Sequence, residues 1–282
     1  MAERMLYDSE LVSVAEFRCS PQDGAWDAVN VIRSPSPLVV FPHRSVGIRP
    51  ADGRPVLATP NLAMLYNPAQ PYERELRDPR GDECIFVALH APAIRALEGE
   101  GSIVRDGRMT QTHTPTDRVS YLRVQLLARH LRGDDPDPLL VEDLLLRLVR
   151  AVVGRIAQPA PRRTATWAEH HRLAESAKEL ISAAPEAAFG LHELATRLGV
   201  SPFHLARVFR RQTGFSLHQY RTQLRLRLAL HRLPDSRGEL TSLAFDLGFA
   251  SHSHFTDTFR REFGVAPSAV RDAATVRQLL VA

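Results

Sequence analysis

Leu191-His-Glu-Leu-Ala-Thr-Arg-Leu-Gly199 and Leu240-Thr-Ser-Leu-Ala-Phe-Asp-Leu-Gly248 are two copies of one pattern. Their apolar residues recur at offsets of three, four and seven, the spacing of one face of a helix. Ala195 and Ala244 let a second helix cross closely, and Gly199 and Gly248 are free to take the left-handed backbone that a sharp turn requires. A second helix follows each copy. Ser201-Pro202 reads as N-cap plus proline at the first helical position, leading to Leu205, Val208, Phe209 and Gly214, while Ser251 leads to Phe255, Phe259, Phe263 and Gly264. Helix, tight glycine turn, helix is the helix-turn-helix pattern, here twice in one chain.

Helical geometry sorts the second helix of each copy. With Leu205 and Phe209 inward, Phe203, Arg207, Arg210 and Arg211 project from the opposite side; with Phe255 and Phe259 inward, Ser253, Asp257, Arg260 and Arg261 do the same. A solvated helix face would also carry charge. Its duplication in register, at a spacing of 50 residues, argues instead for a shared polyanionic partner. Ser216 with Gln219 makes a capping box for a long helix between the copies, ending before Pro234, and Thr166 with Glu169 makes another for a helix to about Ala183. The 18 residues from Ser216 to Leu233 span ~27 Å, against ~34 Å between successive major-groove segments on one face of DNA.

Charge is uneven along the 282 residues. The basic side holds 35 arginines and a single lysine, Lys178. Residues 1–166 carry 21 basic and 21 acidic side chains, whereas residues 167–282 carry 15 against 11 and eight of the twelve histidines. The whole net charge of +4 therefore lies in the C-terminal part, a small excess that points weakly to an anionic partner. Two cysteines, Cys19 and Cys84, and an N-terminus without an apolar leader segment fit a reducing cytoplasm. The longest uncharged stretch, Pro55 to Tyr72, holds four prolines and cannot be a membrane-spanning helix.

The N-terminal part has a different grammar. Segments rich in branched and aromatic residues run Leu11 to Cys19, Trp26 to Arg33, Leu38 to Ile48, Arg54 to Tyr66 and Cys84 to Leu89, and predict a compact β-sandwich or barrel. Arg118 to Leu131 and Pro138 to Ile156 then carry leucine and valine at helical intervals, joined by the turn Gly133-Asp-Asp-Pro-Asp137 into a helical hairpin. Its stripe of Leu140, Leu144, Leu148, Val152 and Ile156 either covers the sheet or, with a second edge of Leu139, Leu145 and Val149, forms a dimer contact. The Pro/Ala/Thr-rich segment after it reads as a linker and a plausible hinge.

Residues 167 to about 275 resemble the DNA-binding domain of AraC/XylS-type bacterial transcription regulators. The motif of the second repeat is present as Ala244, Gly248-Phe249, Phe255, Phe259-Arg260-Arg261, Gly264, Pro267 and Arg271, with Val270 standing where the family usually has an aromatic. The resemblance implies base contacts from Phe203, Ala206 and Arg207 in the first repeat and from His252, Ser253, His254 and Asp257 in the second. Ala206 is short and suits only a thymine methyl. Arg207 would prefer a guanine edge and Asp257 would accept from a cytosine amino group; an intrahelical Asp257–Arg261 pair is the open alternative. The resemblance also implies an α+β chain: a cupin-like sensor and dimerisation barrel over 1–157 with the helical hairpin at about 114–157, a linker at 158–166, and an all-α domain of two helix-turn-helix units over 167–282. It brings double-stranded DNA as partner, with a small-molecule effector, RNA polymerase and a second copy of the chain as further candidates.

Two other readings compete. A metal-dependent cupin enzyme needs clustered histidine and carboxylate, but His43, His90, His113 and His130 show no H-x-H and no nearby glutamate, and Tyr72 stands where a histidine is wanted. His252 and His254 face different ways on a helix. No cofactor, metal or catalytic residue is expected, and no nucleophile or nucleotide motif occurs. A helical protein-interaction adaptor would tolerate loss of the outward arginines and bind without steep salt dependence. Trp26, Tyr66 and Tyr72 read as core or as the lining of an effector pocket, and His43 reads equally as a surface turn.

Overall fold

The run Leu38-Val-Val-Phe41 shows no polar alternation because the strand it forms is covered on both faces. In the computed structural model, which describes residues 1–51, 53–98, 103–133, 137–153, 165–234, 240–272, 275–276 and 279–280, this run is part of a two-sheet N-terminal half. The strands are β1 (Ala2–Asp8), β2 (Val12–Cys19), β3 (Val29–Val31), β4 (Leu38–Pro42), β5 (Val46–Pro50), β6 (Val56–Ala58), β7 (Leu62–Tyr66), β8 (Pro71–Leu76), β9 (Asp82–Leu89), β10 (Val104–Arg105), β11 (Arg108–Met109) and β12 (His113–Pro115). Antiparallel pairing builds one sheet in the order β1-β2-β9-β4-β7-β12 and another in the order β3-β8-β5-β6, with β10-β11 a small hairpin. Leu38, Met64, Tyr66 and Ala88 from the first sheet pack against Val46, Ile48, Val56 and Tyr72 from the second. Val39, Phe41, Leu65, Ile85 and Val87 face the opposite way, toward the helices.

Two segments read from sequence as single strands are each two. Leu38 to Ile48 breaks into β4 and β5, and Arg54 to Tyr66 into β6 and β7, because the chain leaves one sheet for the other at residues 43–45 and 59–61; the second turn closes with Leu62 N–H donating to the Thr59 carbonyl at 2.9 Å. β1 and β8 carry Glu3, Arg4, Glu73 and Glu75 and show too little apolar alternation to be found by pattern.

Helices α1 (Ala91–Leu97), α2 (Arg118–Leu131) and α3 (Pro138–Val153) cover the six-stranded sheet. Asp117 caps α2, accepting from Ser120 N–H at 2.8 Å. The second apolar edge of α3 needs no partner molecule: Leu145 and Val149 are fully buried within the chain, against α1, α2 and β12, and only Leu139 is exposed, at 78%. That removes the basis for reading α3 as a dimer contact. Residues 134–136 of the turn between α2 and α3, Ile156 and most of the 158–166 linker with its hinge lie outside the described residues.

The C-terminal half is helical: α4 (Ala165–Ala183), α5 (Leu191–Arg197), α6 (Pro202–Thr213), α7 (Leu217–Arg232), α8 (Leu240–Asp246), α9 (His252–Phe263) and α10 (Pro267–Arg271). Thr166 is already inside α4 and so is not its N-cap, whereas the capping box of Ser216 with Gln219 is formed at the start of α7. The two halves share one core. Leu226, Leu230, Phe255 and Phe259 belong to the same buried cluster as Val12, Ile85 and Tyr121. Arg227 of α7, 2% exposed, donates to the Pro60 carbonyl at 2.5 Å and the Thr116 carbonyl at 2.6 Å, and its guanidinium lies 5.0 Å from the Tyr121 ring centroid. Arg129 of α2 donates to the carbonyls of Val270 and Arg271. Val270, at the position that departs from the family motif, is thus buried at this contact.

Candidate nucleic-acid interface

The local chemistry that sets α6 is repeated at α9. Ser201 Oγ accepts from His204 N–H at 3.2 Å and Ser251 Oγ from His254 N–H at 3.1 Å, each satisfying one orphan donor of a first turn. At the other end Gly214 and Gly264 sit at φ 79° and 76°, closing the helix onto the carbonyls of Arg210 and Arg260. The preceding turns use Gly199 and Gly248, at φ 67° and 76°. Leu205, Val208 and Phe209 are buried on α6; Phe255, Thr258 and Phe259 are their counterparts on α9, one of them polar.

The opposite faces are open. Phe203, Arg207, Arg210, Arg211, Ser253, His254, Asp257, Arg260 and Arg261 are exposed, Phe203 by 90%, while Ala206 and His252 are half-buried. His252 Nε2 lies 3.4 Å from Thr256 Oγ1, and the His254 ring meets Phe249 edge-on at 5.4 Å. Among the described residues no carboxylate pairs with any of the five arginines. The Asp257–Arg261 pair is not formed; Arg261 donates instead to Thr258 Oγ1 at 3.5 Å, which leaves the Asp257 carboxylate free. The outward charge is therefore available to a ligand rather than spent within the helix.

One side chain that sequence reasoning passed over fixes how the two helix pairs sit. Arg225 of α7 donates from Nε to the Pro185 carbonyl at 2.5 Å, from Nη2 to the Glu186 carbonyl at 3.0 Å and from Nη1 to the Gly248 carbonyl at 2.8 Å. A single guanidinium thus ties the chain entering the first pair to the turn of the second. Burial and the neighbouring Arg221 lower its pKa to about 10. Arginines on a helix read as solvated until the fold shows what they face.

Away from this surface, a cavity of about 730 Å³ lies between the two sheets, lined in part by Tyr66, Tyr72, Arg74, Asp82 and Phe86. Tyr66 and Tyr72 are both buried with rings 5.4 Å apart, so core and lining are one and the same here. Trp26 instead donates its indole N–H to the Ser20 carbonyl at 2.8 Å. His43 is not a surface turn: it is 1% exposed and lies with Glu83 and His231 in a group whose ligating atoms are within 4.8 Å of one another. The absence of a close glutamate in sequence concealed this cluster, since its members come from both halves of the chain.

A family model described as a helix-turn-helix domain matches residues 194–273. The transcriptional activator RhaS of Escherichia fergusonii is 40% identical over 78 residues, 28% of this chain and 28% of that protein. RhaS of an Escherichia coli O81 strain is 24% identical over 249 residues, 83% of this chain and 84% of that one. The matched region is that of AraC/XylS-type transcription regulators, to which the chain is similar. That similarity supports DNA-binding transcription regulation as the general activity. A crystal structure of an AraC-type DNA-binding domain-containing regulator from Chromobacterium violaceum, 28% identical, covers 39% of this chain and 97% of its own length at a TM-score of 0.36. Among the described residues no helix is long and apolar enough to cross a membrane.

Proposed function

We propose that the chain grips double-stranded DNA through α6 and α9, two helix-turn-helix units reading separate segments of one site. The observation that carries this reading is the matched pair of exposed faces, Arg207, Arg210 and Arg211 against Asp257, Arg260 and Arg261, each on a helix with the same serine cap and glycine stop. Phe203, Ala206, Arg207, His252, Ser253, His254 and Asp257 stand nearest the capped ends and meet base edges; Arg210, Arg211, Arg260 and Arg261 meet phosphates. Arg207 and Asp257 make the site asymmetric within one protomer.

The two facing sheets, residues 1–157 with the hairpin, form the cupin-like sensor unit in this reading, and residues 167–282 the grip. A small-molecule effector fits the cavity between the sheets, whose volume of about 730 Å³ is that of a ligand site. There the buried Arg74 donates to Tyr72 Oη at 2.8 Å and lies 3.4 Å from Asp82, while its Nη1 has no hydrogen-bond partner. An effector bearing a carboxylate or carbonyl acceptor would complete that set. The RhaS relatives are named activators, and activation is the sign carried over here. Contact with RNA polymerase and self-association rest on the resemblance alone, and the reading assigns the chain no reaction.

The test is binding of the full chain to a site selected from random DNA, titrated in salt. Arg210→Ala with Arg211→Ala is expected to weaken all sequences alike and to flatten the slope of log affinity against log salt by ~0.9 per phosphate lost. Arg207→Ala should relax preference at one base position by ~1–3 kcal/mol, and Asp257→Asn at another. Affinity that ignores salt and these substitutions would establish the adaptor instead.

A further inference from the structure

His43 follows the end of β4, Glu83 lies on β9 and His231 in the last turn of α7, so the three come from both halves of the chain. The two imidazole rings are 4.2 Å apart and tilted by 33°, and His231 Nε2 is 3.3 Å from Glu83 Oε2. His43 and Glu83 are buried and His231 half-buried. His43 Nδ1 is enclosed with no hydrogen-bond partner, which leaves a polar atom of a buried side chain unexplained by the protein itself.

Supporting groups surround the three. The Gln125 amide nitrogen lies 2.8 Å from His43 Nε2. Amide oxygen and nitrogen occupy equivalent positions, so a half-turn of that amide lets it accept the Nε2 proton and leaves the Nδ1 lone pair free, as the outer partner of a ligating histidine does. Arg18 pairs with Glu83 Oε1 at 2.8 Å and Arg44 with Oε2 at 2.7 Å, and Oε2 is enclosed without a hydrogen-bond donor. With one carboxylate in the set, the group does not suit a hard ion that needs several. Two imidazoles and one carboxylate suit a borderline ion with an open fourth position. Ligands ~2.0–2.2 Å from a tetrahedral ion stand ~3.4 Å from one another. The His231–Glu83 separation of 3.3 Å already has that spacing, and a pair at the 4.8 Å limit closes with a small ring movement.

We propose that His43, Glu83 and His231 form a divalent metal site of the zinc class that clamps α7 to the six-stranded sheet. The site is independent of the DNA reading, and its test uses no DNA. Metal-stripped full chain is titrated with zinc chloride, following stoichiometry by calorimetry and Tm by scanning. One zinc per chain and a Tm rise of roughly 5–10 °C at zinc 100 times its Kd are expected. Cobalt(II) in place of zinc should give the intense visible bands of a tetrahedral site. His231→Gln is expected to remove the bound zinc and the Tm rise while leaving the far-UV spectrum unchanged; Gln125→Ala should weaken zinc ~10–100-fold through the outer partner. A folded wild-type chain that takes up no zinc, a Tm that zinc does not move, or undiminished binding in His231→Gln would each overturn the proposal.

Discussion

Gly248 shows how one residue can be both a local and a tertiary requirement. Its φ of 76° is a conformation other residues adopt at a cost of ~1–2 kcal/mol, and a Cβ built there would lie 2.4 Å from the Glu186 carbonyl oxygen and 2.7 Å from Arg225 Nη2. Gly199, its counterpart in the first unit, has the same backbone but nothing within 4 Å of such a Cβ. Urea unfolding should therefore separate the two: Gly199→Ala is expected to lower stability by about 1 kcal/mol and Gly248→Ala by at least twice that, because the carbonyl and the guanidinium must both move. Equal losses would show that the Arg225 bridge between the units yields without strain. Both glycines are visible in the repeat, since a turn of this kind depends on backbone conformation alone. Their inequality is not, because Glu186 and Arg225 reach Gly248 only through the packing of α4 and α7.

At the scale of elements, the stripe of α2 and the serine caps of α6, α7 and α9 follow from short-range chemistry and were legible. Contacts that join elements were not. His113 of β12 is an example: enclosure against α4 lowers its pKa to about 4, first by burial and then by Lys178, with Glu175 opposing and His171 adding. The unfolded chain takes up this proton near pH 6.5 and the folded chain only near pH 4, so the folded state loses stability as pH falls through that window, by as much as ~1.4 kcal/mol per pH unit. Replacing His113 with Gln should flatten that part of the pH profile in thermal unfolding. An unchanged slope would locate the acid sensitivity elsewhere. The α3 edge makes the opposite point: Leu145 and Val149 carry an apolar pattern that a periodicity argument can assign to a partner as well as to the chain's own core, and burial within the chain is the deciding fact.

The whole molecule is more unified than a sensor and a grip joined by a linker. α2 packs on α7 and α9, Arg227 bonds two carbonyls of the N-terminal half, and Tyr220 Oη lies 3.3 Å from Thr59 Oγ1. Calorimetry of the full chain should accordingly show one cooperative transition, and residues 167–282 expressed alone should melt below it, having lost the α2 face and left the Arg227 charge without its carbonyls. A fragment as stable as the full chain would mean that the shared core contributes little. A DNA assay on that fragment alone would therefore mix loss of grip with loss of fold, which is why the full chain is the proper subject.

Residues 191–214 and 240–264 were enough, unaided, to predict two helix pairs with glycine turns, serine caps and outward arginines, because periodicity, capping and left-handed turns act over less than a dozen residues. Where β4 leaves one sheet for the other, why Arg225 and Arg227 are buried rather than solvated, and the meeting of His43, Glu83 and His231 were settled by the folded chain alone. Those features depend on which surfaces exclude water together, and chain segments nearly two hundred residues apart carry no local mark of their future neighbours.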